Sequence, residues 1–171
     1  PGEYIFAFSG LCDSMNWQYS VNYAEEGKRK EVLAFADGSL RNRLALTLVN
    51  TDSNAIVSAP VYDYQGRSTV QILPVPLESK GLQYYQAAGG IDINGNFDRT
   101  YFDTDSKLNN PDSLPELSQS RIYYSPDNPN KIGAMAYIPD ANGYAYSRTI
   151  LKNDGTDRIS KSCGAGETFK A

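Results

Sequence analysis

The chain has 171 residues, with sixteen Lys+Arg against twenty Asp+Glu for a formal charge of −4, and it contains no histidine. That length suits one domain or a contiguous piece of a longer protein, and the lack of a basic surplus argues against nucleic acid or an anionic bilayer as partner. Without histidine the commonest general base, the usual catalytic zinc ligand and the centre of a Ser-His-Asp triad are excluded, which leaves carboxylate chemistry, an oxygen-ligand cation site or no chemistry.

Thirteen Tyr stand beside six Phe and one Trp, with fourteen Gly and nine Pro, a composition suited to strands and turns rather than helix interiors. Apolar residues make up 40%, a little under the ~45–50% of globular domains, so the core is expected to be thin or shared with neighbours. No run of about 18 apolar residues could cross a bilayer as a helix. Pro1-Gly2 lead straight into the apolar Tyr4-Ile5-Phe6-Ala7-Phe8, and the sequence reads as an excerpt of a longer chain.

In chain order, Trp17, Tyr19, Val21 and Tyr23 alternate with Gln18, Ser20 and Asn22, which predicts a half-buried strand. A strand is expected at 31 to 36, then one in which Leu44, Leu46 and Leu48 alternate with Ala45, Thr47 and Val49, then one around Val70 and Ile72. Residues 77 to 88 have tolerable helix propensity, but Gly81 costs about 1 kcal/mol relative to Ala, and no long helix is expected. Further strands are predicted at 132 to 138 and 144 to 151. Between 94 and 129, Asp, Asn, Ser and Pro crowd together, and a long irregular excursion is expected, ordered only by packing on a sheet. The fold class is therefore all-β, mainly antiparallel hairpins forming a ribbon-like sheet, over a single segment spanning 1–171.

One turn type recurs: Asp63-Tyr64-Gln65-Gly66, Asp92-Ile93-Asn94-Gly95 and Asp140-Ala141-Asn142-Gly143 are each Asp-x-x-Gly. Asp at the first position accepts a backbone N–H from two residues on, and Gly at the fourth tolerates positive φ. Asp37-Gly38 and Asp154-Gly155 add two shorter turn signals.

Possible chemistry is sparse. Asp92, Asn94, Asn96 and Asp98 set four oxygens at alternate positions, with Asp103 twelfth and Asp105 near, and so resemble a calcium loop. Gly95 and Phe97 sit where an EF-hand would place other residues, so a turn rich in Asn and Asp is the preferred reading. A glycosidase would need two facing acids among Glu25, Glu26, Glu78 and Glu116. Gly164-Ala165-Gly166 resembles half of a phosphate loop without its strand-then-helix context. Trp17, Tyr84, Tyr85, Tyr123, Tyr124, Tyr144 and Tyr146 could build a sugar-stacking platform, although alternating Tyr more often packs across strands. Cys12 and Cys163 are either joined or free.

Specific strings add to this. Val61-Tyr62-Asp63-Tyr64-Gln65-Gly66-Arg67 resembles the Tyr-Asp-x-x-Gly-Arg signature of YD (Rhs-type) repeats. Tyr23-Ala24-Glu25-Glu26-Gly27-Lys28 with Asp37-Gly38-Ser39-Leu40-Arg41-Asn42-Arg43, Ile72-Leu73-Pro74-Val75-Pro76, and Tyr123-Tyr124-Ser125-Pro126 with Ile138-Pro139-Asp140-Ala141-Asn142-Gly143-Tyr144 resemble sequence around such repeats in very large bacterial Rhs proteins. Asp154-Gly155-Thr156-Asp157-Arg158-Ile159-Ser160 and the following Gly164-Ala165-Gly166-Glu167-Thr168-Phe169 resemble its continuation. The resemblance covers residues 15 to 170 in order. It implies a β-ribbon wound into a hollow shell, secreted or on the cell surface, which in many members encloses a C-terminal toxin. Tyr62 would then pack between turns of the ribbon, Asp63 and Gly66 would form the turn, and Arg67 would donate beside it. The partners implied are the remainder of the same long chain and a C-terminal payload, with no cofactor and no enzymatic activity. Only one full signature is present and no aspartyl self-cleavage motif is visible, which places the piece near the start of such a shell. A Tyr-rich domain binding cell-surface glycan is the alternative, and a carboxylate-dependent glycosidase the third reading.

Overall fold

A computed structural model describes residues 15–51, 54–77, 81–84, 102, 111–116 and 118–170. Nine strands are present among them: β1 (Asn16–Tyr23), β2 (Arg29–Ala36), β3 (Asn42–Val49), β4 (Ile56–Ser58), β5 (Pro60–Tyr62), β6 (Ser68–Ile72), β7 (Val75–Pro76), β8 (Tyr146–Leu151) and β9 (Ile159–Cys163). They form a five-stranded sheet in the order β1-β2-β3-β4-β7 and a four-stranded sheet in the order β5-β6-β8-β9, with every described pairing antiparallel. The all-β class expected from the alternation is the observed one. One α-helix, α1 (Gln119–Tyr123), lies wholly within the described residues and is five residues long, and no helix among them is long and apolar enough to cross a membrane.

The alternating residues explain the first sheet. Leu33 and Phe35 on β2 lie opposite Leu46 and Leu44 on β3, and all four are buried. Each such side chain contributes about 1.5–3 kcal/mol through removal from water. On β1 the same face carries Tyr19, which packs against the core, but Trp17 and Tyr23 are 46% and 74% exposed. The half-burial expected of that strand therefore holds only for its middle.

A bent hairpin runs from one sheet into the other. Ile56 and Val57 pair with Pro76 and Val75 in the first sheet, and Pro60 and Val61 pair with Gln71 and Val70 in the second. The bend falls at Ala59, whose carbonyl accepts from the Ile72 amide (3.4 Å), and at Leu73-Pro74 opposite. A ribbon built from hairpins is thus present, divided into two sheets at this corner. Val57, Val70, Ile72 and Val75 from the bend are fully or almost fully buried.

Of the excursion expected at 94–129, residues 94–101, 103–110 and 117 lie outside the described residues. The remainder packs on the sheets: Leu114 is fully buried and its amide donates to the Gly143 carbonyl (2.8 Å). Ser120 Oγ donates to Leu73 O (3.0 Å), and Tyr124 OH to Pro74 O (2.8 Å), which fastens α1 to the corner. Residues 77 and 81–84 carry no helix, and Tyr84 sets its ring edge-on to Phe35 at 5.0 Å.

The strand predicted at 132 to 138 is not formed. Gly133–Tyr137 is a 3-10 turn, entered through Gly133 at φ +61°, and residues 132–137 are all exposed. The apolar alternation there has no described strand beside it to pair with, and alternation alone does not make a strand.

Candidate functional site: a column of clamped turns

The residues singled out at 62–67 form the β5–β6 turn. Asp63 Oδ1 accepts the amides of Gln65 and Arg67, both at 2.9 Å, and its Oδ2 accepts Arg67 Nε at 2.7 Å. Asp63 N donates to Arg67 O (2.9 Å) and Gly66 N to Asp63 O (3.0 Å). Gly66 takes φ +80°, the left-handed region that L side chains enter at a cost of roughly 1–2 kcal/mol. A single carboxylate thus holds both backbone and guanidinium.

The β2–β3 turn repeats this bond for bond. Asp37 Oδ1 accepts Ser39 N (2.9 Å) and Arg41 N (3.1 Å), and Oδ2 accepts Arg41 Nε (3.0 Å). Asp37 N donates to Arg41 O and Leu40 N to Asp37 O. Leu40 occupies the fourth position at φ +59°. The β8–β9 turn is a close variant: Asp154 Oδ1 accepts Thr156 N (3.0 Å), Arg158 Nη2 pairs with Asp154 Oδ2 at 3.1 Å, and Asp157 holds the fourth position at φ +53°. The shared signature is Asp-x-x-x-Arg with a left-handed fourth residue.

These turns stack. Arg41 of the first lies over the Tyr62 ring, its Cζ 5.5 Å from the centroid, and so close to Gly66 that a Cβ there would sit 2.7 Å from Nη1. Arg43 approaches the Tyr62 ring at 6.0 Å, while Tyr62 OH donates to Asn42 O (2.8 Å). Arg67 of the second turn reaches the third: its Nη1 donates to Asp157 Oδ1 (2.7 Å) and Lys152 O (3.3 Å), its Nη2 to Asn153 Oδ1 (3.3 Å). In both steps the arginine meets the residue before the turn's Asp and the residue at its fourth position.

Electrostatics follow the bonds. Burial pushes the Asp37 carboxyl up, but the Arg41 and Ser39 amides and the Arg41 charge outweigh it and hold the group below its usual value. The Thr156 hydroxyl and amide, then Arg158, lower Asp154. Asp157 and then Asp63 raise Arg67. A second network lies on β1 and β2: Tyr19 OH donates to Glu31 Oε2 (2.7 Å) and Arg29 Nε to Oε1 (2.6 Å). Burial, then the Glu31 carboxylate, pushes the Tyr19 phenol up to about 12.

The Asp140–Gly143 turn shares only part of the pattern. Asn142 N donates to Asp140 Oδ1 (2.8 Å) and Gly143 has φ +84°, but position 144 is Tyr. The Asp92–Gly95 turn lies outside the described residues, as does the candidate calcium loop of Asp92, Asn94, Asn96 and Asp98, with Asp103 and Asp105. Among the described residues no three His, Cys, Asp or Glu side chains gather as a metal site. Glu25, Glu26 and Glu116 are exposed, Glu26 pairing with Lys28 at 3.3 Å, and Glu78 is outside the described residues.

Most described tyrosines expected as a platform pack instead. Tyr146 is 3% exposed and donates to Asp112 O, Tyr123 and Tyr124 meet edge to face at 5.0 Å, and Lys170 Nζ covers the Tyr144 ring at 4.4 Å. Tyr144 and Lys170 border an open groove of about 560 Å³ beside Arg121 and Glu116. Gly164-Ala165-Gly166 follows β9, and the Gly166 amide is spent on Tyr144 O (2.8 Å). Cys163 is a buried free thiol, and Cys12 lies outside the described residues.

Sequence reasoning found Tyr62, Asp63, Gly66 and Arg67 but not Asn153 and Asp157 as their partners. The usable signal was Asp followed four residues later by Arg, present at 37, 63 and 154 and absent at 92 and 140. No family model, curated protein or solved structure matches the chain.

Proposed function

We propose that this chain is a non-catalytic wall segment of a large Rhs-type, YD-repeat scaffold, secreted by or displayed on a bacterium, whose β-ribbon encloses or presents a C-terminal toxin or effector. The observation that supports it best is the column of three Asp-x-x-x-Arg turns, in which each of the first two arginines grips its own aspartate and the next turn. Such a column stiffens one margin of a ribbon. Its chemistry is that of holding hairpins in register. Its partner is then the remainder of its own chain.

A piece of shell wall taken alone leaves strand edges that neighbouring ribbon would cover. Thermal unfolding of the 171-residue chain over a hundredfold concentration range tests this. The reading predicts loss of soluble protein or a midpoint that moves with concentration. A sharp midpoint independent of concentration would contradict it.

A further inference from the structure

We propose that the outer end of the turn column, at Arg158, is a docking surface for a further β-hairpin turn of the same parent chain, one that brings a carboxylate or amide side chain against the guanidinium. This rests on the wall-segment reading and names the wall's partner at this margin.

The argument is the regularity of the two existing steps. Arg41 meets Tyr62 and Gly66, the residues one before and three after Asp63. Arg67 meets Asn153 and Asp157, the residues one before and three after Asp154. Arg158 also pairs with its own aspartate, but among the described residues no further turn lies above it. Its Nε is used on Thr156 Oγ1 (2.9 Å) and its Nη2 on Asp154, whereas Nη1 is the arm that Arg67 extends to the next turn. Side-chain exposure follows the same order, 17% for Arg67 beneath the third turn and 64% for Arg158.

The chemistry selects the occupant. A guanidinium is satisfied by planar oxygen acceptors and is strongest with a carboxylate, which the third turn supplies to Arg67 through Asp157 and Asn153. A second copy stacked head to tail would offer the first turn, whose corresponding residues are Ala36 and Leu40. Neither offers the side-chain oxygen that Asp157 and Asn153 give Arg67, nor the ring and bare Cα that Tyr62 and Gly66 give Arg41. A hairpin with Asp or Asn one before or three after its own turn aspartate fits.

The test is arginine modification by phenylglyoxal, mapped by peptide mass spectrometry in the native protein and in the 171-residue chain, with Arg67 as the covered reference and Arg29 as the exposed one. In the native protein Arg158 should react at least about tenfold more slowly than Arg29, an opening equilibrium of the size expected of a docked element. In the isolated chain, with Arg67 still covered, it should react as Arg29 does. Arg158 reacting at the Arg29 rate in a native protein many times 18.8 kDa would overturn the inference and leave the wall reading standing. A native mass near 18.8 kDa would overturn the reading, and the inference with it. Protection that grows with the concentration of the isolated chain would assign the surface to a second copy and also overturn it. A benzophenone maleimide on Arg158→Cys in the native protein should cross-link beside another Asp-x-x-x-Arg turn, and a link mapping elsewhere would refute the proposal.

Discussion

Replacing Leu40 by Gly should stabilise the protein, because Leu40 holds in the first turn the left-handed position that Gly66 holds in the second. Its φ is +59° and it is 76% exposed, so little apolar burial is lost on truncation. Relief of left-handed strain is worth about 1–2 kcal/mol, and the freer unfolded chain of a glycine variant takes back about 0.4–1 kcal/mol. A net gain of about 0.5–1 kcal/mol remains, which at a urea slope of about 2 kcal/mol per molar raises the midpoint by about 0.3–0.5 M. Gly66→Ala is the converse. It adds about 1–2 kcal/mol of left-handed strain and places a methyl 2.7 Å from Arg41 Nη1, which displaces the guanidinium from Tyr62 at about 0.5–1 kcal/mol more. After the smaller unfolded-state entropy of Ala is allowed for, a loss of about 1–2 kcal/mol is expected. Urea unfolding at one fixed protein concentration reads both. A Leu40→Gly midpoint that is unchanged or lower, at unchanged slope, would refute the equivalence of the two turns.

Phe35→Ala removes a fully buried ring and should cost about 3–5 kcal/mol, read as a lowered urea midpoint, whereas Trp17→Ala on the same strand pair should cost far less. In acid, Asp37 and Asp154 lie below their usual values when folded; their contribution is present above the unfolded pKa of about 3.9. It is lost as pH falls through the folded values, so urea midpoints should fall below about pH 4 and less steeply in Asp37→Asn. In alkali, Tyr19 with its pKa of about 12 contributes stability that is complete below the unfolded value of about 10 and is lost as pH rises towards 12. Absorbance titration should lose a late-titrating phenol in Tyr19→Phe; an unchanged titration would contradict the Tyr19–Glu31 bond.

The strands legible in the sequence were those with a buried neighbour on one face, β1, β2, β3, β6 and β8, because half-burial forces a period of two. β9 was not legible: Ile159–Lys161 and Ser162 are exposed and only Cys163 is buried, so burial imposed no pattern. The misreading at 132 to 138 has the opposite origin, an apolar alternation on a segment that lies wholly outside the core. At the site, Asp-x-x-Gly directed attention to glycine, yet Leu40 and Asp157 take the same left-handed geometry. What distinguishes the column is the arginine four residues after each aspartate, since the guanidinium closes the turn and reaches beyond it. The steps between turns were not legible, because Arg67 and Asp157 are ninety residues apart and nothing in local spacing links them.

The most direct test of the wall-segment account is the intact mass of the native protein that contains this chain, taken from its source under denaturing conditions. The account predicts a polypeptide many times larger than 18.8 kDa, with further Asp-x-x-x-Arg hairpins beyond these residues. A native species of about 18.8 kDa would contradict it.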